Sequence, residues 1–286
     1  MSDRIPEELL AVAGAMLPGE SLAAAVLARG GSHEVVLLPG IAAVRIASNS
    51  TALAALPRRT ELLRRLADLD LPFTVPAPLS EVRTVEGRTA VVLSWVDGKP
   101  CPKGAGGEPK ELASLLGSLR DVDCGPLAEV LGVPHEYAGG ARWAEVMLQE
   151  VVPRLPNAWR PEGQRRIQAA LDLHWEQSSL VHGDLAGSNM HWDDRGRLVG
   201  VLDWDLASAF DPGLDAACLS WHGWDKVRGA VDTHTLHRAF VWALTFGLEQ
   251  VAFAILNNAT EQEVAKVVVA TTAWLERSAG WNLPVT

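Results

Sequence analysis

The sequence predicts an α+β fold of two lobes, a small antiparallel β-sheet lobe with one helix followed by a larger, mostly helical lobe. Five short segments of strand character lie between residues 22 and 96, and beyond residue 109 apolar residues recur at helical spacing. A break rich in Gly and Pro follows Val96, which sets the predicted lobes at 1–96 and 97–286. A chain of 286 residues is long enough to bury a sizeable core in this arrangement.

The first lobe is predicted to open with a helix at residues 5–17, which Pro18-Gly19 ends. A second helix is expected at 57–68, because Leu62, Leu63 and Leu66 share one face. Pro39-Gly40 and Glu86-Gly87 supply the turns of at least two hairpins. The five strands are predicted at 22–28, 34–38, 41–47, 82–85 and 88–96.

The second lobe reads as helices around one small hairpin. Residues 190–192 and 197–202 are predicted to pair as strands across a turn at 193–196. Thr260 and Glu263 form a capping box for the last helix. The helices are predicted at 109–119, 141–152, 161–176, 214–221, 233–257 and 261–278.

Composition narrows the function classes. The three cysteines are far apart and show no CxxC spacing, so we expect neither a disulfide framework nor a cysteine metal cluster. This pattern fits a protein of the reducing cytoplasm. The amino terminus lacks a signal-peptide pattern, and no uncharged apolar run reaches membrane-spanning length. A formal net charge of -10 argues against nucleic-acid binding and is compatible with a cationic small-molecule substrate. The sequence leaves open whether the protein is a monomer or a homodimer.

The densest chemistry lies between residues 180 and 217. Asp184 follows His182 and Gly183, Asn189 comes five residues later, and Asp203 ends the return strand of the predicted hairpin. This order is typical of phosphoryl transfer, in which one carboxylate accepts a hydroxyl proton while an amide and a second carboxylate hold Mg²⁺. Asp and Asn are also ordinary turn and cap residues, but the matched spacing favours the catalytic interpretation.

The two motifs resemble those of the aminoglycoside phosphotransferase family, enzymes with a protein-kinase-like two-lobe fold. The family writes its catalytic loop HGDxxxxN, which residues 182–189 match, and its metal motif DWxxA, which residues 203–207 match. Residues 211–217 resemble the family's following DPxxDLA segment. The resemblance implies transfer of the γ-phosphoryl of ATP or GTP to a hydroxyl, with Asp184 as the catalytic base and Asn189 and Asp203 as the Mg²⁺ ligands.

The resemblance also implies where the nucleotide binds. Ser32 and His33 lie in a Gly-containing turn whose backbone N–H groups could face phosphate, although a plain hairpin turn explains the same residues. Arg45 stands where the family usually places a phosphate-binding Lys, and a guanidinium can grip phosphate oxygens instead. Glu61 is expected to pair with Arg45, or alternatively with the nearby Arg64 and Arg65.

Residues 94–100 resemble the family's hinge, where backbone groups meet the nucleotide base. Ser94, Trp95 and Val96 are therefore candidate nucleotide-binding residues. Residues 101–109 are predicted to form a flexible surface connection.

Candidate acceptor-binding residues follow the motif block. Trp221, Trp224 and Asp225 sit around a glycine and could form a pocket for a flat or cationic substrate, although most of the eleven tryptophans are expected in the core. Asp205 is either structural or faces the substrate cleft. Asp211 is expected to hold the catalytic loop by hydrogen bonds.

Within the family, residues 45–80 look similar to viomycin-type phosphotransferases and to relatives near the macrolide kinases. That likeness implies resistance by phosphorylation of an antibiotic of aminoglycoside, tuberactinomycin or macrolide type. Two alternatives remain, a metabolic kinase of a small alcohol on the same fold, and a nucleotide-binding module without turnover, which Arg45 in place of Lys suggests.

Overall fold

The computed structural model describes residues 4–174 and 178–280. The elements run in the order α1 (Glu7–Met16), β1 (Val26–Arg29), β2 (His33–Leu38), β3 (Ala42–Ala47), α2 (Ser50–Ala67), β4 (Arg83–Val85), β5 (Arg88–Ser94), α3 (Pro109–Arg120), α4 (Trp143–Glu145) and α5 (Arg160–Leu171). They continue with β6 (Ser179–Val181), β7 (Met190–Trp192), β8 (Leu198–Val201), β9 (Ser208–Phe210), α6 (Pro212–Cys218), α7 (Trp224–Ala230), α8 (Thr233–Ala243), α9 (Phe246–Leu256) and α10 (Glu261–Ser278).

The chain divides into two compact units, Met1–Cys101 with Ser188–Leu202, and Pro102–Gly187 with Asp203–Thr286. The first unit contains a five-stranded antiparallel sheet in the order β1-β2-β3-β5-β4. The described parts of the second unit are largely helical. An α+β fold with a small sheet and a large helical part is therefore confirmed.

One face of the sheet forms the core of the first unit together with α1. Strand alternation turns Val36, Val44, Ile46 and Val92 to the same face, where they pack in one buried cluster against the apolar side of α1. The members of that cluster on α1 are Leu9, Val12, Ala13 and Met16. Burial of these side chains gives the sheet a fixed face and therefore a fixed register.

Helix α2 begins seven residues earlier than predicted. Asn49 caps it, since its side chain accepts a 2.8 Å hydrogen bond from the Ala52 N–H, and Pro57 lies inside the helix. The sequence predicts a start at Pro57 because proline is favoured in the first turn of a helix and disfavoured in the interior. The buried face of α2, which includes Leu56, Leu62 and Leu66, outweighs that local preference.

The β7–β8 hairpin belongs to the first unit, although it lies far along the chain. Backbone hydrogen bonds join Lys99 to Trp192 in both directions, at 2.9 and 3.0 Å, and two more of 2.9 and 3.0 Å join Thr74 to Val199 and Val201 of β8. Gly200 is required here, because a Cβ at this position would lie 2.1 Å from Val96 Cγ1. The predicted lobe boundaries, 1–96 and 97–286, thus differ from the observed units by residues 97–101 and this hairpin.

Three predicted helices differ in the second unit. The segment predicted at 141–152 is α4 followed by a π-helix at Val146–Val151. The segment predicted at 161–176 ends at Leu171, and its residues 175 and 176 lie outside the described part of the chain. The long helix predicted at 233–257 is two helices, α8 and α9, which bend by 43° at Leu244–Thr245. Apolar periodicity continues through that bend, so the sequence pattern did not reveal it.

The bend between α8 and α9 lies beside a buried carboxylate. Glu249 is fully buried and accepts hydrogen bonds from Tyr137, from Trp143 Nε1 at 3.0 Å and from Thr245 Oγ1 at 3.0 Å, while His135 Nδ1 lies 3.3 Å away. Burial raises the pKa of Glu249, but His135 and the hydrogen bonds outweigh it and hold that pKa below its usual value. This cluster fixes the start of α9 against the segment before α4.

Among the described residues, no single helix has the length and hydropathy to cross a membrane. The bent pair α8 and α9 meets those criteria together, by length and composition only.

Candidate active site

The predicted catalytic loop, residues 182–189, starts at the end of β6 with a sharp backbone turn. Gly183 has φ +84°, a conformation that L side chains rarely adopt, and a Cβ there would lie 3.0 Å from the Leu206 carbonyl oxygen. Glycine is therefore required between His182 and Asp184. The turn brings the Asp184 N–H to 3.1 Å from His182 Nδ1, which accepts its hydrogen bond.

Asp215 on α6 holds this turn in place by hydrogen bonds. Its two carboxylate oxygens accept hydrogen bonds from the backbone N–H groups of His182 and Gly183, each 2.8 Å long. Burial raises the pKa of Asp215 to about 7, the two N–H donors oppose the rise, and the negative charge of Asp184 adds to it. The catalytic loop is thus held through its backbone by a buried carboxylate.

His182 is itself part of the core. Its side chain is fully buried and its ring centroid lies 4.7 Å from that of Trp204, the residue after Asp203. Cys218 Sγ lies 3.7 Å from the Gly183 carbonyl oxygen, and burial raises the pKa of this thiol well above its usual range. The surroundings leave His182 a structural role, and Asp184 is the first exposed residue of the motif.

The two predicted metal ligands stand at the two ends of the β7–β8 hairpin. Asn189 precedes β7, and its carbonyl oxygen accepts a 2.8 Å hydrogen bond from the N–H of Leu202. Asp203 is the next residue after Leu202, and its φ of +57° is uncommon for a residue other than glycine. Such conformations cluster at functional sites, where the surrounding structure imposes them.

The candidate phosphate-binding residues of the first unit form one hydrogen-bonded group. The β2–β3 register places Val35 opposite Arg45, so His33 lies diagonally across on the same face. Arg45 Nη2 lies 3.0 Å from His33 Nδ1, and Ser32 Oγ lies 2.8 Å from the same nitrogen. Because a guanidinium can only donate, Nδ1 is the acceptor and carries no proton. Arg45 and His33 are both buried.

Glu61 is engaged within its own helix. Its carboxylate accepts hydrogen bonds from Arg64 and, at 2.9 Å, from Arg65, and these donors hold the pKa of Glu61 below its usual value, Arg65 first. Of the two alternatives for this side chain, the pairs one turn along α2 are the ones the structure contains. The pairs are half-exposed and contribute little to stability.

The hinge residues are ordered by local bonds. Ser94 and Ala77 exchange two hydrogen bonds, one through the Ser94 N–H at 2.8 Å and one through its Oγ at 2.9 Å. Trp95 Nε1 donates to Asp97 Oδ1 at 2.9 Å, and Val96 is buried. Hydrogen bonds to Ala77 and Asp97 therefore hold the segment whose backbone would meet a nucleotide base.

The candidate acceptor-binding residues occupy different surroundings. Trp224 stacks on Phe240 with ring centroids 3.9 Å apart, which is a packing contact. Asp225 is exposed and pairs with Arg228 at 3.2 Å. Asp205 is buried in the short helical turn Trp204–Leu206. Trp221 is half-buried, and its indole packs against Gly187 of the catalytic loop.

The chain matches the family model of APH, the "Phosphotransferase enzyme family", over residues 25–253. It belongs to that family. As a member of this family, the protein is an enzyme that transfers phosphoryl groups.

This family member is 30% identical over 272 residues to the viomycin phosphotransferase of Streptomyces vinaceus, an alignment that covers 87% of this chain and 93% of the relative. Its fold is similar to that of the GDP and kanamycin complex of APH(2")-IIia, with a TM-score of 0.79, 17% identity and coverage of 96% and 99%. It also resembles macrolide 2'-phosphotransferase type I, with a TM-score of 0.69, 17% identity and coverage of 94% and 96%. The kinase-like fold is therefore confirmed.

One expectation about the family's DPxxDLA segment is wrong. Asp211 does not hold the catalytic loop; it caps α6 at Gly213 N–H and accepts hydrogen bonds from Arg238 and from Trp242 Nε1 at 2.6 Å. Asp215 performs the role expected of Asp211. A signal was present in the sequence, because Asp215 is a lone carboxylate in an otherwise apolar helical stretch, and such residues are buried only when they are hydrogen-bonded.

Proposed function

We propose that this enzyme is a cytoplasmic, Mg²⁺-dependent O-phosphotransferase that moves the γ-phosphoryl of ATP or GTP to a hydroxyl of an antibiotic of aminoglycoside, tuberactinomycin or macrolide type, giving resistance. The observation that carries the proposal is the catalytic loop, in which Asp184 is presented by a glycine turn that a buried carboxylate anchors. The viomycin phosphotransferase relative supports an antibiotic acceptor.

In this proposal Asp184 orients the acceptor hydroxyl and takes its proton as phosphoryl transfer proceeds. The transition state is loose and its charge is spread over oxygens, so positioning carries most of the rate. The anchored backbone suits that task, because a misplacement of about 1 Å can cost about 100-fold in rate.

Asn189 and Asp203 would hold Mg²⁺. An amide oxygen and a carboxylate oxygen are the hard donors that this cation prefers, and the left-handed backbone of Asp203 fits a residue held for function. When bound, Mg²⁺ would neutralise charge on the nucleotide phosphates.

The first unit would bind the nucleotide. Arg45, held by His33, would contact phosphate oxygens through its guanidinium, and the turn at Ser32 would offer backbone N–H groups. The backbone of residues 94–96 would meet the base. Glu61 would act indirectly, because its carboxylate offsets the charges of Arg64 and Arg65 on α2.

Phosphoryl transfer to kanamycin, viomycin and a macrolide tests the proposal, with ATP and GTP in separate reactions and product detection by mass spectrometry. We expect transfer by the wild type and at least about a 100-fold loss in Asp184→Asn. Asp194→Asn, at an exposed turn position, is the matched control and should keep wild-type activity. Equal transfer by wild type and Asp184→Asn would refute the assigned base.

Two alternatives give other outcomes of the same experiment. A metabolic kinase would transfer phosphate to a small alcohol, sugar or amino-acid derivative and to none of the antibiotics, and its expression would not protect growing cells. A nucleotide-binding module would bind ATP or GTP and transfer nothing, an outcome that Arg45 in place of Lys makes worth measuring.

A further inference from the structure

We infer that Lys103 and Trp221 form a charge-selective platform for the acceptor beside the catalytic loop, an inference that rests on the proposed function. Trp221 supplies the flat surface on which the acceptor lies. Lys103 supplies a resident cation on that surface, which a cationic group of the acceptor replaces. The pair thereby sets how strongly the enzyme favours cationic over neutral acceptors.

The first observation is the contact between Trp221 and the catalytic loop. A Cβ at Gly187 would lie 3.7 Å from two ring atoms of Trp221, Cη2 and Cζ2. Gly187 is three residues after Asp184, a stretch that spans at most about 10 Å. An acceptor of antibiotic size whose hydroxyl lies at Asp184 therefore also extends over the half-buried indole.

The second observation is the cation on the indole. Lys103 Nζ lies 5.8 Å from the ring centroid of Trp221, within the range of a cation–π interaction. Lys103 is exposed, so its ammonium can move into solvent when another cation takes its place.

The backbone after Lys103 is fastened to the segment that carries Trp221. The Gly104 N–H donates to the Trp221 carbonyl oxygen at 2.8 Å, and His222 Nδ1 lies 2.8 Å from the Ala105 carbonyl oxygen. Since a carbonyl only accepts, His222 Nδ1 carries the proton. Lys103 is thus positioned by its neighbours over the indole, which distinguishes it from an ordinary surface lysine.

The fastening continues over the next two residues. Lys226 Nζ donates to the Gly106 carbonyl oxygen, and a Cβ at Gly107 would lie 2.5 Å from His222 Cγ. Gly107 also has φ +67°, so glycine is required at this position for both reasons. Residues 104–107 therefore lie directly against residues 221–226. Hydrogen bonds hold this part of the predicted flexible connection in place.

The chemistry of the pair predicts opposite effects for its two members. A cation of the acceptor competes with Lys103 for the π face and is repelled by its charge, so removal of the charge should strengthen binding of cationic acceptors. Removal of the indole should weaken their binding. An uncharged acceptor makes no cation–π contact and does not feel the repulsion, so its binding should respond less to the charge at position 103.

The experiment compares KM for kanamycin with KM for fully N-acetylated kanamycin, which keeps the hydroxyls and loses the charges. We expect Lys103→Met to lower KM for kanamycin about 3- to 10-fold, and Lys103→Glu to lower it further. Both variants should change the KM for the acetylated compound less than the KM for kanamycin. Trp221→Leu should raise KM for kanamycin, and Trp221→Phe should restore part of the loss.

Lys266→Met on α10 is the matched control, because it removes the same charge from an exposed lysine elsewhere. It should leave every KM unchanged, which separates a local effect from a change in net charge. Identical KM values for kanamycin in the wild type, Lys103→Met and Lys103→Glu would overturn the inference. A shift of equal size for charged and acetylated kanamycin would overturn it too.

A measurement without turnover keeps this inference distinct from the proposed function. The CεH₂ signal of Lys103, assigned by its loss in Lys103→Met, should be displaced by the ring current of Trp221 and should lose that displacement when kanamycin or viomycin is added. An enzyme that transfers phosphate to neither compound would contradict the proposed acceptors, while displacement of Lys103 by the cationic compounds would still support the platform. A Lys103 signal that does not respond to either compound would overturn it.

Discussion

The carboxylate of Asp215 accepts the backbone N–H of Gly183 at 2.8 Å, and this bond ties helix α6 to the turn that presents Asp184. The second oxygen of Asp215 takes the N–H of His182 in the same way. The position of the proposed base thus depends on a buried carboxylate 31 residues further along the chain.

Replacement of Asp215 should therefore damage both stability and activity. Asp215→Asn leaves one backbone N–H facing an amide NH₂, and an unsatisfied buried donor costs about 1–3 kcal/mol of the free energy of unfolding. We expect urea denaturation to show a loss of that size, and kcat to fall more than nucleotide KM rises. Asp194→Asn, at an exposed turn position, is the control. Wild-type kcat and stability in Asp215→Asn would contradict the anchoring role.

The raised pKa of Asp215 predicts a pH dependence of stability. Its folded pKa of about 7 lies above its ordinary value of about 3.9, so the folded state binds this proton more tightly than the unfolded state. The stability that this group contributes is fully present below about pH 4 and is lost as pH rises through about 7. The free energy of unfolding of the wild type, relative to that of Asp215→Asn, should therefore decrease between those values.

Asp184 provides a check on that titration, because its charge raises the pKa of Asp215. In Asp184→Asn the decrease in relative stability should move to lower pH. Unfolding measured from pH 4 to 8 in paired variants gives both results, and a flat difference between wild type and Asp215→Asn would contradict the raised pKa.

Gly183→Ala should be more harmful than an equivalent change elsewhere. The new Cβ would lie 3.0 Å from the Leu206 carbonyl oxygen, in addition to the strain of φ +84°. We expect a loss of about 1–3 kcal/mol in the free energy of unfolding and a clear loss of kcat.

Gly196→Ala is the matched control for this change, since Gly196 has φ +76° and a Cβ added there would meet no other atom within 4 Å. It should show the backbone strain alone. A loss of stability as large in Gly196→Ala as in Gly183→Ala would mean that the contact with Leu206 contributes nothing.

Arg45→Ala should weaken nucleotide use. The change removes the guanidinium that would contact phosphate, and it also removes the hydrogen bond of 3.0 Å that Arg45 donates to His33 Nδ1. We therefore expect the KM for ATP or GTP to rise about 10-fold or more. Arg45→Lys keeps the charge and loses the fork geometry, so its KM should fall between those of the wild type and Arg45→Ala. Steady-state kinetics with either nucleotide measures the effect. Arg83→Ala, on an exposed part of β4, should not change this KM.

The sequence by itself determined the α+β class, the two motifs and the identity of each candidate residue. The predicted strands agree with the observed ones to within a few residues, because apolar patterns and turn residues are local signals. The capping box of Thr260 and Glu263 likewise needs only four residues of chain. The roles of Asp184, Asn189 and Asp203 follow from motif spacing and stay predictions.

Only the tertiary structure decided which of these side chains meet. It gave the loop anchor to Asp215 instead of Asp211, placed Glu61 with Arg64 and Arg65, and packed Trp224 on Phe240. It also broke a continuous apolar pattern into α8 and α9 at Thr245, whose hydroxyl bonds to Glu249. Hydrogen bonds across 30 or more residues are set by how helices pack, and neither local propensity nor periodicity carries that information.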